Sequence, residues 1–526
     1  MTLGYRTTDG SIVTLKPIAA QSTPLGDAPA LKLSGREYAA MSTGRVLRAA
    51  QAHFDYPAPD GDGAVRAGAK TVAADELGAL MARKRFAVFE DGESGLLRLA
   101  YRELVLRFRA DSTRAQQAQL LKTLGLSKRS GNAFHAQQFV VVDAARRYSV
   151  EALIELALQL GEQALVEFAT PNFISQYTRC ASSAPPSPAK AQWHLAMVRA
   201  RQAWALSQGR KSITVAVLDD GVDVDHPELK ARLKRKPDPQ EPRDLLGRDF
   251  YVPDSAADHF DPRPKRFRMP FDQMNGNDIH GSCCAGVAVG SGPRGFGMAP
   301  RCSLLPVKIF HADDLASDAR VADAVRYAAQ FADVISCSWG GPRSPDLQAA
   351  IADASTQGRA GRGAVIVCAA GNDAAPRVSY PAADAHCIAV GASTDARLQA
   401  DYSNSGAQLA VVAPSSGGAK GIFCTDVALP GRGFNIGSVA AGGADGLFTN
   451  DFGGTSSATP LVAGLAALML SLKPQLSPAQ VAALLKRSAV KIGPPGSYDA
   501  NGHSKAYGHG MVDALKTLQA VKALKP

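Results

Sequence analysis

Apolar residues follow two different rhythms along this chain. Between about residues 100 and 170 they alternate with polar ones. ELVLRFR (103–109), QFVVVD (138–143) and LVEFA (165–169) therefore read as strands. Asp111 or Ser112 is placed to cap a helix running to Leu124 and closed by Gly125, and SVEALIELALQL (149–160) is an amphipathic helix closed by Gly161. Strand, helix, strand, helix, strand predicts a small split βαβ, ferredoxin-like α+β unit over 101–178. Further on, the runs become apolar throughout. ITVAVL (213–218) and Ala364 to Cys368 are short and rich in β-branched residues, as buried strands are. ATPLVAGLAALML (458–470) has no polar face, which predicts a helix inside a large core. At 13 residues it falls short of the roughly 20 a bilayer needs. Pro460 belongs in or near the first turn, so this helix should begin at Thr455, Ser456 and Ser457.

Between the two regions, residues 179–190 hold ASSAPPSPAK, a Ser/Pro/Ala linker that marks a boundary before a larger unit, 191–526. Residues 1–100 are less legible. SIVTLKPI and RFAVFED look like strands, so this part is expected to be β-rich, but no function follows from it. No internal repeat is visible.

Four short stretches carry candidate chemistry. DFGGTSSATPLVAG (451–464) puts two glycines and adjacent serines at a helix start. Serine there is ordinarily an N-cap. The glycines leave room for close approach, and a helix N-terminus favours developing negative charge. A serine needs a base and an orienting carboxylate to become a nucleophile. ITVAVL ends at Asp219, Asp220 and Gly221, either a turn or a functional strand end. His280 opens a small-residue stretch, HGSCCAGVAVG, with Cys284 one helical turn on. That spacing raises a rival Cys–His pair. One helix would fix both side chains, however, and leave little room to aim a carbonyl between them. Asn372 follows the 364–368 strand, where its amide could serve an oxyanion or simply a turn.

Taken together, DDG, HGSCCAG, AAGN and GGTSSATP, in that order, closely resemble the four active-site motifs of subtilisin-like serine proteases. HPEL, GMAP, VISCSWGG and YSNSG extend the likeness over roughly 190–515. DDG, SCSWG and GGTS are most similar to the kexin, or proprotein convertase, branch. The resemblance implies an α/β catalytic domain with a mostly parallel sheet flanked by helices. It also implies serine endopeptidase activity by an Asp219–His280–Ser456 triad, with Asn372 in the oxyanion site. It selects Ser456 over Ser457, because the family's nucleophile directly follows Gly-Thr. It places Ser338, Trp339 and Gly340 in substrate binding. Asp220 and Asp278 match positions that face a basic substrate residue in convertases, and Asp373 falls at a pocket rim. The convertases' second acidic pair is absent: Pro342, Arg343 and Ser344 stand there, with Val378 further on. The 101–178 unit resembles the family's propeptide, an inhibitory partner of its own chain, and VEFATPNFISQY resembles the tail that crosses the active site. The chain stops at Pro526 without the convertases' C-terminal β-rich domain. No cofactor is implied for the chemistry. Structural calcium is possible, but the loop that usually holds it reads GSGPRG (290–295) here, without the family's Asn side chains.

Composition narrows the rest. With 46% hydrophobic and 20% charged residues, a large core is feasible. A net charge of +10 is mild over 526 residues, and its densest run, RPKRFR (263–268), suits a solvated loop. No nucleic-acid module is seen, so the expected partners are protein or peptide substrates. Eight scattered cysteines show no metal spacing, and the N-terminus lacks a signal-peptide pattern. With no segment expected to span a membrane, these features favour the cytoplasm, with export lacking an N-terminal signal as the alternative. Two other functions share the motifs: a silent binding module of the same fold, and a peptide ligase using the same acyl-enzyme.

Overall fold

The computed structural model describes residues 3–8, 11–17, 32–33, 36–37, 87–145, 147–179, 192–235, 245–252, 254, 256–265, 278–311, 315–428, 433–435, 438 and 441–525. The linker at 181–190, the end of the RPKRFR run and most of residues 1–86 lie outside that set.

The larger unit is built on a seven-stranded parallel sheet. Its order is Arg248–Asp249, Ser303–Lys308, Thr214–Asp219, Val334–Cys337, Val365–Ala369, Cys387–Ser393 and Leu409–Pro414. The buried runs read from the sequence are its central strands, and side-chain alternation sorts them between two cores. Val215 and Val217 face the helices His280–Val289 and Gly454–Leu472. Ala216 and Leu218 face the helices Asp318–Phe331 and Pro345–Gly361. Asp219 ends one strand, and Ser338 and Asn372 come just after the carboxyl ends of the next two in the sheet.

The apolar helix starts earlier than its sequence suggests. It spans Gly454–Leu472, and neither serine nor threonine caps it; Gly453 stands at the cap. Pro460 therefore lies well inside, where it leaves the carbonyl four residues back, that of Ser456, without its helical N–H. Ser338 Oγ supplies the replacement, donating to that carbonyl at 3.1 Å. At 19 residues this is the one helix among the described residues long and apolar enough to cross a membrane, and it is buried in the core.

Residues 103–171 form a four-stranded antiparallel sheet in the order Val166–Pro171, Glu103–Phe108, Gln138–Val142, Ser127–Gly131. The helices Arg114–Leu124 and Val150–Leu160 cover one face of it. Thr113 caps the first helix, with Gln116 completing a capping box, in place of the expected Asp111 or Ser112. Ser112 is engaged otherwise, its hydroxyl donating to Arg109 O at 2.7 Å.

A third, six-stranded sheet runs Gly4–Arg6, Ile12–Pro17, Ala87–Asp91, Leu97–Ala100, Ile174–Gln176 and Leu315–Ser317. Residues 1–100 are thus β-containing. The segment after the four-stranded unit, Ile174–Gln176, lies between a strand of that N-terminal part and a strand of the larger unit. Thr178–Arg179 then pairs antiparallel with Trp339–Gly340.

Candidate active site

His280 is the first residue of its helix, and Asp219 ends the strand beside it. His280 Nδ1 and Asp219 Oδ1 are 2.7 Å apart, both side chains buried. The close approach needs Gly281, because a Cβ there would meet Gly221 O at 2.2 Å. A carboxylate so placed fixes the imidazole's tautomer and leaves Nε2 as its basic face. Phe452 packs edge-on against the ring at 5.5 Å.

Ser456 Oγ donates to Ser338 O at 2.9 Å. His280 Nε2 is buried and has no hydrogen-bond partner among the described residues. The hydroxyl thus bonds the Ser338 carbonyl instead of the imidazole, and attack requires it to turn. Ser457, by contrast, is built into the structure: its hydroxyl lies 2.8 Å from Ser415 Oγ and donates to Gly454 O at 3.3 Å. Asn372 Oδ1 accepts from the Thr455 N–H and hydroxyl, each at 2.9 Å. Two bonds to its oxygen fix the orientation of this amide, as an oxyanion donor requires.

Two of the expected substrate contacts are engaged within the chain. Asp220 is wholly buried, and its carboxylate accepts the N–H groups of Ile279 (3.0 Å), His280 (3.0 Å) and Gly281 (2.7 Å). It caps the His280 helix, where a negative charge complements the helix dipole. Asp278 is buried against Lys308 and lies 3.2 Å from His311 Nδ1. Burial alone would raise its carboxyl, but the Lys308 charge and the hydrogen bond with His311 hold it below the usual range. Neither is free to meet a basic substrate residue. Asp373 is exposed at the turn after Asn372 and held by Asn404. Trp339 is buried, its indole N–H donating to Leu218 O at 2.8 Å, while Gly340 presents backbone to the cleft.

The Cys–His rival fails on electrostatics. Cys284 Sγ is 3.7 Å from His280 Nδ1, the nitrogen already given to Asp219. Burial first, and then the Asp219 charge, push its thiol well above the ordinary range, so it is no thiolate.

The comparisons fit this geometry. The sequence profile of the Subtilase family matches residues 210–510. This chain belongs to the subtilase family. It is 33% identical over 412 residues to the calcium-dependent protease of Trichormus variabilis, covering 71% of this chain and 57% of that one. It is 30% identical over 315 residues to thermitase of Thermoactinomyces vulgaris, covering 59% of this chain and 92% of thermitase. It shares its fold with fervidolysin from Fervidobacterium pennivorans, at a TM-score of 0.56 and 19% identity, over 79% of this chain and 60% of that one. The chain thus spans little more than half the length of the calcium-dependent relative.

The subtilase's 290–297 loop does not fit a calcium ion. Glu228 Oε1 accepts the Arg294 N–H and Oε2 the Gly295 N–H, both at 3.1 Å. Gln192 bonds both the N–H and the carbonyl of Phe296. The Arg294 guanidinium pairs with Asp445 and lies 4.3 Å over the Phe448 ring. A fixed cation and satisfied oxygens occupy the place where an ion would need free ones.

Proposed function

We propose that this subtilase is a serine endopeptidase made as a zymogen that blocks its own cleft. Ser456 attacks the scissile carbonyl, and His280 takes its proton and returns it to the leaving amine. Asp219 holds the imidazole and stabilises its charged form. Asn372 and the Ser456 N–H receive the oxyanion. The observation that carries this reading is the ladder Thr178↔Gly340, Arg179↔Trp339. It lays the chain's own tail along a strand adjoining Ser338, whose carbonyl accepts the Ser456 hydroxyl. Strand addition of this kind is how an extended peptide is held for cleavage, so the tail supports the reading both as inhibitor and as substrate mimic. Self-cleavage then falls beyond Arg179, before Lys190.

A fluorophosphonate probe, a casein digest and intact-mass measurement test the reading together. The expected result is Ser456-dependent labelling, digestion and loss of the N-terminal region. No labelling and no digestion would leave a binding module, and labelling with joined products would show a ligase. An active, uncut chain would make the N-terminal region a permanent domain. Strict cleavage after basic pairs would be unexpected, because Asp220 and Asp278 are already engaged.

A further inference from the structure

Tyr177 is the one aromatic side chain of the tail segment Ile174–Arg179, and it is 1% exposed. Its ring stacks on Phe310 at 6.4 Å and meets Trp339 edge-on at 5.5 Å. Gly341 makes the seat possible, since a Cβ there would stand 2.4 Å from the Tyr177 ring. At the far end its hydroxyl donates to Asp318 Oδ1 at 2.9 Å. Asp318 opens the Asp318–Phe331 helix, directly after the Leu315–Ser317 strand that pairs with the tail. Phe310, Trp339, Gly341 and Asp318 belong to the peptidase unit, and they persist when the tail leaves.

The other oxygen of Asp318 is occupied from elsewhere. Arg98 Nη2 lies 2.7 Å from Oδ2, and Arg98 belongs to the N-terminal strand on the far side of the tail. The carboxylate therefore has three partners, the Tyr177 phenol lying in the groove, the Arg98 guanidinium lying behind it and the Ser175 hydroxyl of the tail. Removal of the N-terminal region takes all three away. What remains is an aromatic-walled slot with a carboxylate at its end.

Resting on the endopeptidase reading, we infer that Asp318 is a specificity-determining residue, selecting a substrate side chain that is a ring with a hydroxyl at its tip. Phenylalanine fills the same walls but leaves the carboxylate oxygen without a donor. A site built to bond a hydroxyl rejects the analogue that lacks it more strongly than an apolar pocket rejects a missing methylene. The selected position is the one Tyr177 holds, two residues before Arg179 in the tail.

Two experiments test this. In the first, peptide substrates carrying the sequence of residues 174–179 and differing only as Tyr or Phe at the 177 position are compared on the active enzyme. Tyr is expected to exceed Phe by about 10–100-fold in kcat/KM, and the ratio is expected to fall towards one in Asp318→Ala. An equal Tyr/Phe ratio in wild type, or an unchanged one in Asp318→Ala, overturns the inference. The second does not depend on catalysis or on Asp318→Ala folding. In full-length Ser456→Ala, Tyr177→Phe should speed amide hydrogen exchange over 174–179 by about tenfold or more. Unchanged protection overturns the inference. Hydrolysis that persists in Ser456→Ala, or never appears in wild type, would defeat the endopeptidase reading instead, and the exchange measurement would still decide the role of Asp318.

Discussion

Arg98 and Asp318 form an ion pair at 2.7 Å across the boundary between the N-terminal sheet and the peptidase unit, and the Arg98 side chain is wholly buried. Arg98 also bonds the tail, its Nε donating to Ser175 Oγ at 3.1 Å, and it lies 4.4 Å over the Phe173 ring. Removing one partner of a buried pair costs about 3–5 kcal/mol, because the other charge is left unpaired. Arg98→Met should therefore loosen the tail. Its full-length protein should show a shorter lag before activity and earlier clipping than wild type, with an unchanged rate once matured. A time course of activity and intact mass checks this, and a lag equal to or longer than wild type would rule out a restraining role.

Ser456→Ala should abolish proteolysis, whereas Ser457→Ala should keep most of it and lose about 1 kcal/mol of stability with its hydrogen bonds. Asn372→Ala should lower turnover by about 10²–10³, a range carried over from the oxyanion donor of subtilisin itself. Initial rates on a peptide amide, with thermal melts alongside, separate these effects. A Ser456→Ala protein with normal turnover would end the serine mechanism.

The parts legible in the sequence were those whose meaning is local. The buried strand ending in Asp219 and the small residues after His280 and before Ser456 each read correctly from their neighbours. Asp220 did not. A carboxylate after a strand looks the same whether it faces substrate or caps a helix, and its three N–H partners lie some 60 residues away. Asp278 is neutralised by Lys308, 30 residues on and on another strand. Ser127–Gly131 (SKRSG) is fully exposed, so no apolar alternation marks it as a strand. The start of the Ser456 helix was placed late because Pro460 implied a first-turn position. The Ser338 hydroxyl that makes an interior proline tolerable comes from a different part of the chain.

Cys284 should make activity sensitive to mercurials. Its Sγ lies 3.7 Å from His280 Nδ1 and 3.7 Å from Ser456 O, so an adduct there would displace both the base and the nucleophile's backbone. The thiol is buried, and its reaction should be slow and should quicken with transient opening. Cys284→Ala should retain activity and resist the reagent. Equal inhibition of Cys284→Ala and wild type would place the sensitive thiol elsewhere.

Asp426 should make the fold less stable as pH rises from about 4 to 7. Burial pushes its carboxyl up to about 7, against the partial relief of N–H bonds from Asn435 and Val427. A raised carboxyl binds its proton in the folded chain where the unfolded chain has already lost it. Its contribution is thus greatest below the unfolded value and is lost as pH climbs through the folded one. Asp426→Asn should flatten that part of the stability–pH curve by up to about 4 kcal/mol, taking 1.36 kcal/mol per unit. Half-buried Asp323, pushed up to about 6 by desolvation, adds a slope of the same sign, so the comparison must be wild type against Asp426→Asn. Denaturant melts at pH 4.5 and 7.5 supply it, and parallel curves would mean that Asp426 is ionised throughout.

The 290–297 loop should be held without calcium. Glu228 does there what an ion would do, joining the loop to the segment after Asp219 through two N–H bonds, and Arg294 supplies a fixed positive charge paired with Asp445. Glu228→Ala leaves the buried Gly295 N–H unsatisfied, which should cost about 1–3 kcal/mol, and the Arg294 N–H, on an exposed residue, adds less. If hydrogen bonds alone hold the loop, the difference in Tm between wild type and Glu228→Ala will be the same in excess calcium and in chelator. Any effect of calcium on Tm, from a site elsewhere, would then shift both proteins equally. If Glu228 instead ligates calcium, the ion stabilises only the wild type, and the difference widens as calcium is added. A difference that grows with calcium would show that the loop rearranges around an ion, and that the hydrogen bonds from Glu228 are those of the metal-free form.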